Sequence, residues 1–332
     1  MAKLNWGLVG LGGLAEQLAP AFKESRNGQL IACASRTFES AQDFARRHGV
    51  DRAYPSYEEL VRDPRVEAVY VATPNHLHTP VVLAAAAAGK QVFCEKPMAP
   101  TVLEAEEMIS ACRKAGVSLR LGFYLRFLQL VQAARAQVLE GRIGEVQELL
   151  IQRYSDFRFH ATAPWRRDLS LAHAGVLADV GVHLLDLTQL IVGDHIARVF
   201  ALAYPPRSSG QPDERVTILL EFGGGCQATV RCSRGLPAGA NDLVIIGNRG
   251  TLCTGPLRWT DSYSLSLRAD GQQEDRQFPV EDLYRLEIEA FADDLIGAST
   301  PLATGEDGLR MVHVTEAAIR SLETGAAVPV EY

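Results

Sequence analysis

Trp6-Gly7-Leu8-Val9-Gly10-Leu11-Gly12-Gly13-Leu14-Ala15 reads as a short apolar strand, a glycine turn and the start of a helix. The turn is a G-x-G-x-x-A pattern with Gly10, Gly12 and Ala15 at its three marked positions. In such a turn the first glycine makes the tight bend and the second lets backbone approach a pyrophosphate. The small sixth residue lets the helix pack on the strand. The helix amino terminus then faces the anion. Gly10, Gly12, Gly13 and Leu14 are therefore assigned to a dinucleotide. The motif is weak in isolation; a strand before it and a helix after it, at the start of the chain, give it weight.

Working outward, Leu30 to Ala34 is a second strand, ending at Ser35-Arg36-Thr37. An NAD site normally places an acid here for the ribose hydroxyls. None stands at this strand end; Glu39 lies a turn later. Two hydroxyls and a guanidinium suit a 2′-phosphate, so NADP(H) is favoured over NAD(H), the alternative being that Arg36 caps the loop or stacks on adenine. A helix from Phe38 to His48, a strand near Ala53-Tyr54 and a helix from Tyr57 to Arg62 follow. Ala68 to Ala72 is a buried strand running into Thr73-Pro74-Asn75-His76-Leu77-His78, a loop expected beside the pyrophosphate and nicotinamide ribose. His76 and His78 stand two apart, but with no carboxylate or cysteine near them a structural role is favoured over a metal. An alanine-rich helix from Pro80 to Ala88 ends at Gly89.

Val92-Phe93-Cys94 is an all-apolar run, the pattern of a strand buried on both faces. It stops at Glu95-Lys96-Pro97, which offers Lys96 at the carboxyl end of a buried strand, where open α/β sheets keep their ligands. An ammonium there can donate to a substrate oxygen and move a proton; the alternative is a solvated lysine. After the helix Val102 to Ala115 and the strand Ser118 to Leu121 the strand-helix rhythm ends. The expectation is an α/β protein: a Rossmann doubly wound parallel sheet over residues 1–122, then an α+β domain over 123–332 with a large, mainly antiparallel sheet.

That second part opens with a helix, Leu125 to Leu139. Strands are expected at Val146 to Tyr154, Arg198 to Tyr204, Val216 to Phe222, Cys226 to Cys232, Leu243 to Ile246 and Ser264 to Arg268. Helices are expected at Val176 to Ile191, Leu283 to Ile296 and Glu306 to Leu322. In the first of these, Asp179, His183 and Asp186 follow i, i+4, i+7 and share a helix face. A carboxylate one turn before a histidine can orient the ring and keep it ready as an acid/base; the alternative is a satisfied core histidine. A metal held by His173, Asp179 and His183 fits no usual zinc pattern, and no metal is expected.

Composition bounds these readings. The chain has 332 residues, is 47% apolar and 22% charged, and carries a net charge of −7, which argues against a phosphate-backbone binder and for no nucleic-acid partner. Its six cysteines are scattered without a C-x-x-C pair and read as reduced core residues of a cytoplasmic protein. No signal peptide and no window of transmembrane length are expected, hence no membrane partner.

Three ordered motifs, the Gly10/Gly12 turn, Glu95-Lys96-Pro97 and Asp179-x-Gly181-x-His183, are spaced as in the glucose–fructose oxidoreductase/inositol dehydrogenase/rhizopine-catabolism (Gfo/Idh/MocA) family. The resemblance continues at Trp165-Arg166, at Glu287-Ile288-Glu289-Ala290-Phe291 and at Ala303-Thr304-Gly305-Glu306-Asp307-Gly308, so it covers essentially the whole chain. Within the family the chain is most similar to NADP-linked sugar reductases. The resemblance implies hydride transfer between a nicotinamide and a carbonyl or secondary alcohol of a sugar or polyol. It implies Lys96 on the reacting oxygen, His183 as acid/base partner and Asp179 orienting substrate or histidine. It implies Thr73, Pro74, Asn75 and His78 beside the nicotinamide, Glu95 near its ribose, Trp165 and Arg166 reaching to NADP, and Tyr124 and Arg126 near substrate. The usual triple glycine before the catalytic helix is here His173-Ala174-Gly175, which reshapes the pocket mouth. A homodimer or homotetramer is what the family suggests. Two other classes stay open: a redox-neutral glycosidase or lyase that uses the cofactor transiently, and a non-catalytic NADP-binding regulator.

Overall fold

The computed structural model describes residues 3–155, 164–236, 241–257 and 262–332. From its start the chain alternates β1 (Leu4–Val9), α1 (Gly13–Glu24), β2 (Gly28–Ala34), α2 (Phe38–His48), β3 (Arg52–Tyr54), α3 (Tyr57–Val61), β4 (Ala68–Val71), α4 (His78–Ala87), β5 (Gln91–Glu95), α5 (Val102–Ala115) and β6 (Leu119–Gly122). Then come α6 (Gln129–Leu139), β7 (Val146–Ser155), α7 (Leu169–Ala172), α8 (Val182–Val192), β8 (Ile196–Tyr204), β9 (Arg215–Phe222), β10 (Gln227–Arg234) and β11 (Leu243–Gly247). The chain closes with β12 (Gly250–Thr254), β13 (Tyr263–Ala269), β14 (Gln272–Phe278), α9 (Leu283–Leu295), β15 (Ala303–Thr304), α10 (Gly305–Thr324) and β16 (Val328–Pro329).

Two compact units result: Met1–Phe127 with Asp282–Val312, and Leu128–Glu281 with His313–Tyr332. The first is built on a sheet of order β15-β6-β5-β4-β1-β2-β3. β1, β2, β4, β5 and β6 pair in parallel, and β15 joins β6 antiparallel through Ala303↔Leu121. Strand order reverses at β1, between β2 and β4, which makes the β1/β4 crevice the switch point where such sheets bind ligands. The strands are apolar on both faces because helices cover both, and Val69, Val92 and Phe93 are fully buried.

The boundary expected at residue 122 leaves out the return of the chain into this unit at Asp282–Val312. Aromatic packing explains the return. Phe291 of α9 lies 4.8 Å from Trp6 and 5.7 Å from Phe93, ring centre to ring centre, and Tyr70 lies 4.8 Å from Phe93. Arg120 of β6 pairs with Asp294 of α9 at 2.8 Å. α9 thus covers the sheet face that carries Trp6 and Phe93, a hole the first 122 residues do not fill.

The second unit holds a nine-stranded sheet, β14-β13-β12-β11-β7-β10-β9-β8-β16. Its pairs are antiparallel except β7 with β10. β14 and β12 were not anticipated. β14, Gln-Gln-Glu-Asp-Arg-Gln-Phe, is exposed at all but its last residue, so it carries no apolar alternation to read. The helix expected from Val176 to Ile191 divides into a π turn, Leu177–Gly181, followed by α8. Leu169–Val192 is also long and apolar enough to cross a bilayer, which corrects the expectation that no window is. Seventy-two per cent of its apolar window (72%) is buried inside the protein, as in a core helix.

Candidate active site

In the first unit the glycine turn is built as a cradle. Gly10 has φ +96°, and a Cβ there would lie 2.6 Å from the carbonyl carbon and oxygen of Ala72 and from the Thr73 nitrogen. Only glycine fits this turn between β1 and the end of β4. At Gly12 and Gly13 nothing stands within 4 Å of such a Cβ, so the start of α1 is open on that side. Close backbone, an open helix amino terminus and the β1/β4 switch point together fit a dinucleotide pyrophosphate. Gly10, Gly12, Gly13 and Leu14 would hold it.

At the end of β2, Ser35 is half-buried and Arg36 and Thr37 are exposed. The Thr37 hydroxyl accepts from the Ser40 amide (3.3 Å) and donates to the Ser40 hydroxyl (2.7 Å), so it caps α2. After β4, Thr73 and Pro74 lead into a 3₁₀ turn, Asn75–Leu77, and the Asn75 side chain accepts from the His76 amide at 3.1 Å. His78 is buried, with Nε2 2.9 Å from the Thr73 carbonyl and Nδ1 3.0 Å from that of Pro97. Burial outweighs these carbonyls, which favour a charged ring, and pushes its pKa down to about 4. Its ring ties the loop after β4 to the loop after β5.

Lys96 is half-buried directly after β5. Glu95, which the resemblance places near the nicotinamide ribose, is buried. Its Oε1 accepts from the Tyr70 hydroxyl at 2.7 Å and its Oε2 from the Lys96 amide at 3.3 Å. Gly122, its register partner on β6, makes the room: a Cβ there would lie 2.7 Å from Oε1. Burial raises the Glu95 pKa, while Lys96 and the Tyr70 hydroxyl pull it back. Tyr124 packs on Tyr284 at 5.4 Å. Arg126 is buried, pairs with Asp307 at 3.1 Å and lies over the Phe123 ring, so its guanidinium is held by structure.

In the second unit His183 and Asp186 are buried on α8. Asp179, on the π turn, pairs with Arg234 at the end of β10. Burial, with Arg166 and Arg153 adding like charge, pushes the Arg234 pKa down to about 10. The Arg166 guanidinium stacks 4.8 Å from the Trp165 ring centre. Buried Asp213 accepts from the Gly175 amide (2.7 Å) and the Leu177 amide (2.8 Å), fixing the entry to the π turn. A Cβ on Gly175 would lie 2.1 Å from the Asp213 carbonyl oxygen, so this one glycine of the altered triplet is required. Arg234 and Asp213 were missed in the sequence because each acts from a strand end or loop tens of residues from the helix it serves.

Residues 4–123 match the oxidoreductase family with an NAD-binding Rossmann fold, and residues 131–253 match the Gfo/Idh/MocA C-terminal domain. The chain belongs to the Gfo/Idh/MocA family, and it is an NAD(P)-dependent oxidoreductase acting on CH–OH groups. It is 31% identical to a 1,5-anhydro-D-fructose reductase of Ensifer adhaerens, over 98% of each chain. It is 32% identical to a D-xylose 1-dehydrogenase (NADP(+)) of Haloferax volcanii, over 99% of this chain and 100% of that one. An aldose-aldose oxidoreductase of Caulobacter crescentus, complexed with glycerol, superposes with a TM-score of 0.88 at 28% identity, covering 98% of this chain and 99% of that one.

Proposed function

We propose that this chain is an NADP(H)-preferring reductase or dehydrogenase of a sugar or polyol. The observation that carries the reading is Lys96, half-buried at the carboxyl end of β5 in a sheet whose switch point carries the Gly10 cradle. The names of the relatives, a sugar reductase and an NADP-linked sugar dehydrogenase, support the substrate class and favour net redox turnover over a redox-neutral lyase or a silent regulator. When bound, the nicotinamide supplies or accepts the hydride. Lys96 would hold the reacting oxygen and pass its proton, with His183 as acid/base partner and Asp179 orienting it while paired with Arg234. Ser35 and Arg36, with no acid at the end of β2, support the 2′-phosphate preference. Thr73, Pro74 and Asn75 would flank the nicotinamide, and Trp165 with Arg166 would approach the cofactor.

Self-association belongs to the same proposal. The face of the second sheet opposite its helices exposes Leu150 and Leu219 across Thr229, with Arg198 and Glu221 beside them. An apolar row flanked by both charges suits a two-fold contact with a second copy, giving a homodimer or homotetramer. All six cysteines are free, five of them buried, which supports a reducing, cytoplasmic setting.

A panel of sugars and polyols, assayed by nicotinamide absorbance with NADPH and NADH, tests the reading. Lys96→Ala should lower kcat at least about a hundredfold, because proton-transfer groups typically contribute that much, with NADPH affinity nearly intact. Turnover above roughly a tenth of wild type would remove Lys96 from the chemistry.

A further inference from the structure

We infer that Glu287 is a proton-bearing positioning residue that acts on Lys96 from behind the sheet, alongside Glu95. This rests on Lys96 being the proton-handling group proposed above. The placement follows from register. Phe93 and Glu95 stand two residues apart on β5 and so share a face. On α9, Glu287, Phe291 and Asp294 follow i, i+4, i+7 and share a stripe. Phe291 packs on Phe93, and Asp294 meets Arg120, the register partner of Phe93 on β6. Glu287, one turn back along α9 from Phe291, lies near enough to Glu95 and Lys96 to feel both charges.

Glu287 is fully buried, and neither of its carboxyl oxygens has a hydrogen-bond partner among the described residues. An ionised carboxylate in that position is costly, whereas a neutral carboxyl is tolerable. Glu95 already accepts two hydrogen bonds and adjoins Lys96, so the negative charge belongs on Glu95 and the proton on Glu287. Burial, then the Glu95 charge, raise the Glu287 pKa well above the ordinary carboxylate range, and Lys96 opposes them.

The sheet presents Tyr70, Glu95, Lys96 and the Trp6 indole; α9 itself adds Tyr284, and the 3₁₀ turn packed against it adds Tyr124 and the buried Arg126, which is paired with Asp307. The ionisable residues of α1, Glu16, Lys23 and Glu24, are exposed, and the one on β2, Cys33, bonds Ala41 of α2. Arg285 and Glu289, on another stripe of α9, pair with each other and Glu289 with Arg26. Loss of the Glu287 proton would therefore add its own buried negative charge to that of Glu95 near Lys96. A second anion would tighten the lysine's grip on the proton it has to give up. By reciprocity, the shift that the lysine charge imposes on Glu287 equals the shift that Glu287 imposes on Lys96.

Infrared titration of the cofactor-free protein, labelled with carbon-13 glutamate, reads this without substrate. A protonated glutamic acid carbonyl band should be present at neutral pH and absent in Glu287→Gln. Its midpoint should fall by about one unit or more in Glu95→Gln, which removes a like charge, and rise by about as much in Lys96→Met. No acid band at neutral pH, a band lost in Glu95→Gln but kept in Glu287→Gln, or a midpoint that neither charge change moves overturns the inference. Should Glu287→Gln fail to fold, the band in wild type and its persistence in Glu95→Gln still decide the matter.

Denaturant unfolding supplies a second readout. A carboxyl whose folded pKa is raised gives stability that is complete below its unfolded value, about 4.3, and lost as pH rises toward the folded midpoint. Glu287→Gln should therefore gain on wild type as pH rises through that window, whereas a packing role predicts a difference independent of pH. Neither measurement uses turnover, so the inference and the enzymatic reading can fail separately.

Discussion

Lys96 and His183 carry the same proposed chemistry from two kinds of backbone. Lys96 follows the last residue of a parallel strand, where the direction of the sheet alone decides which end meets ligand. His183 stands in the first turn of α8, immediately after a π turn whose geometry depends on Asp213, a residue from a distant loop. Position on a strand end is a property of the sheet. Position on this helix is a property of tertiary contacts, and π turns recur where a functional side chain has to be re-aimed. The largest effect that tests the contrast is His183→Asn. If the helix carries chemistry, kcat should fall about a hundredfold while the urea midpoint stays close to wild type. A kcat above about a tenth of wild type would make the histidine part of the core and leave Lys96 alone on the proton.

A smaller effect separates Asp179 from His183. An uninterrupted α-helix would set the two carboxylates and the imidazole on one face, but the structure joins Asp179 to Arg234. Arg234 is 7% exposed, whereas the Asp179 side chain keeps 25% of its exposure. Arg234→Leu should thus cost about 1–2 kcal/mol in urea unfolding, below the 3–5 of a fully buried pair because water can reach the stranded carboxylate. If the pair orients His183, both Arg234→Leu and Asp179→Asn should lower kcat; a loss in Asp179→Asn alone would show that the carboxylate acts without Arg234.

These contrasts mark what could be read from residue order. Gly10, Gly12 and Lys96 were legible because each sits at a junction whose geometry is local: strand to turn, or strand to proline. Three things were hidden. The return of α9 into the first unit depends on a hole between Trp6 and Phe93 that exists only once the sheet is formed. The burial of Glu95 depends on Gly122 being its neighbour across β6. β14 shows only polar residues because almost all of it faces water. In each case the deciding partner is distant in sequence, and periodicity carries no information about it.

Within the first sheet, the end of β2 offers a finer test of local legibility, since Arg36 and Thr37 were assigned together to the cofactor. Arg36→Leu should weaken NADPH about tenfold and leave NADH nearly unchanged in fluorescence titrations, as loss of one charge-assisted contact to a phosphate would. Thr37 is already engaged with Ser40 as the cap of α2. Thr37→Ala should then cost about 1 kcal/mol of unfolding free energy, the usual worth of a threonine cap, with the same small loss for both cofactors. A selective loss of NADPH in Thr37→Ala would show that the hydroxyl leaves its cap to meet the phosphate. The two residues would then act as a pair, and the cap would be a resting position.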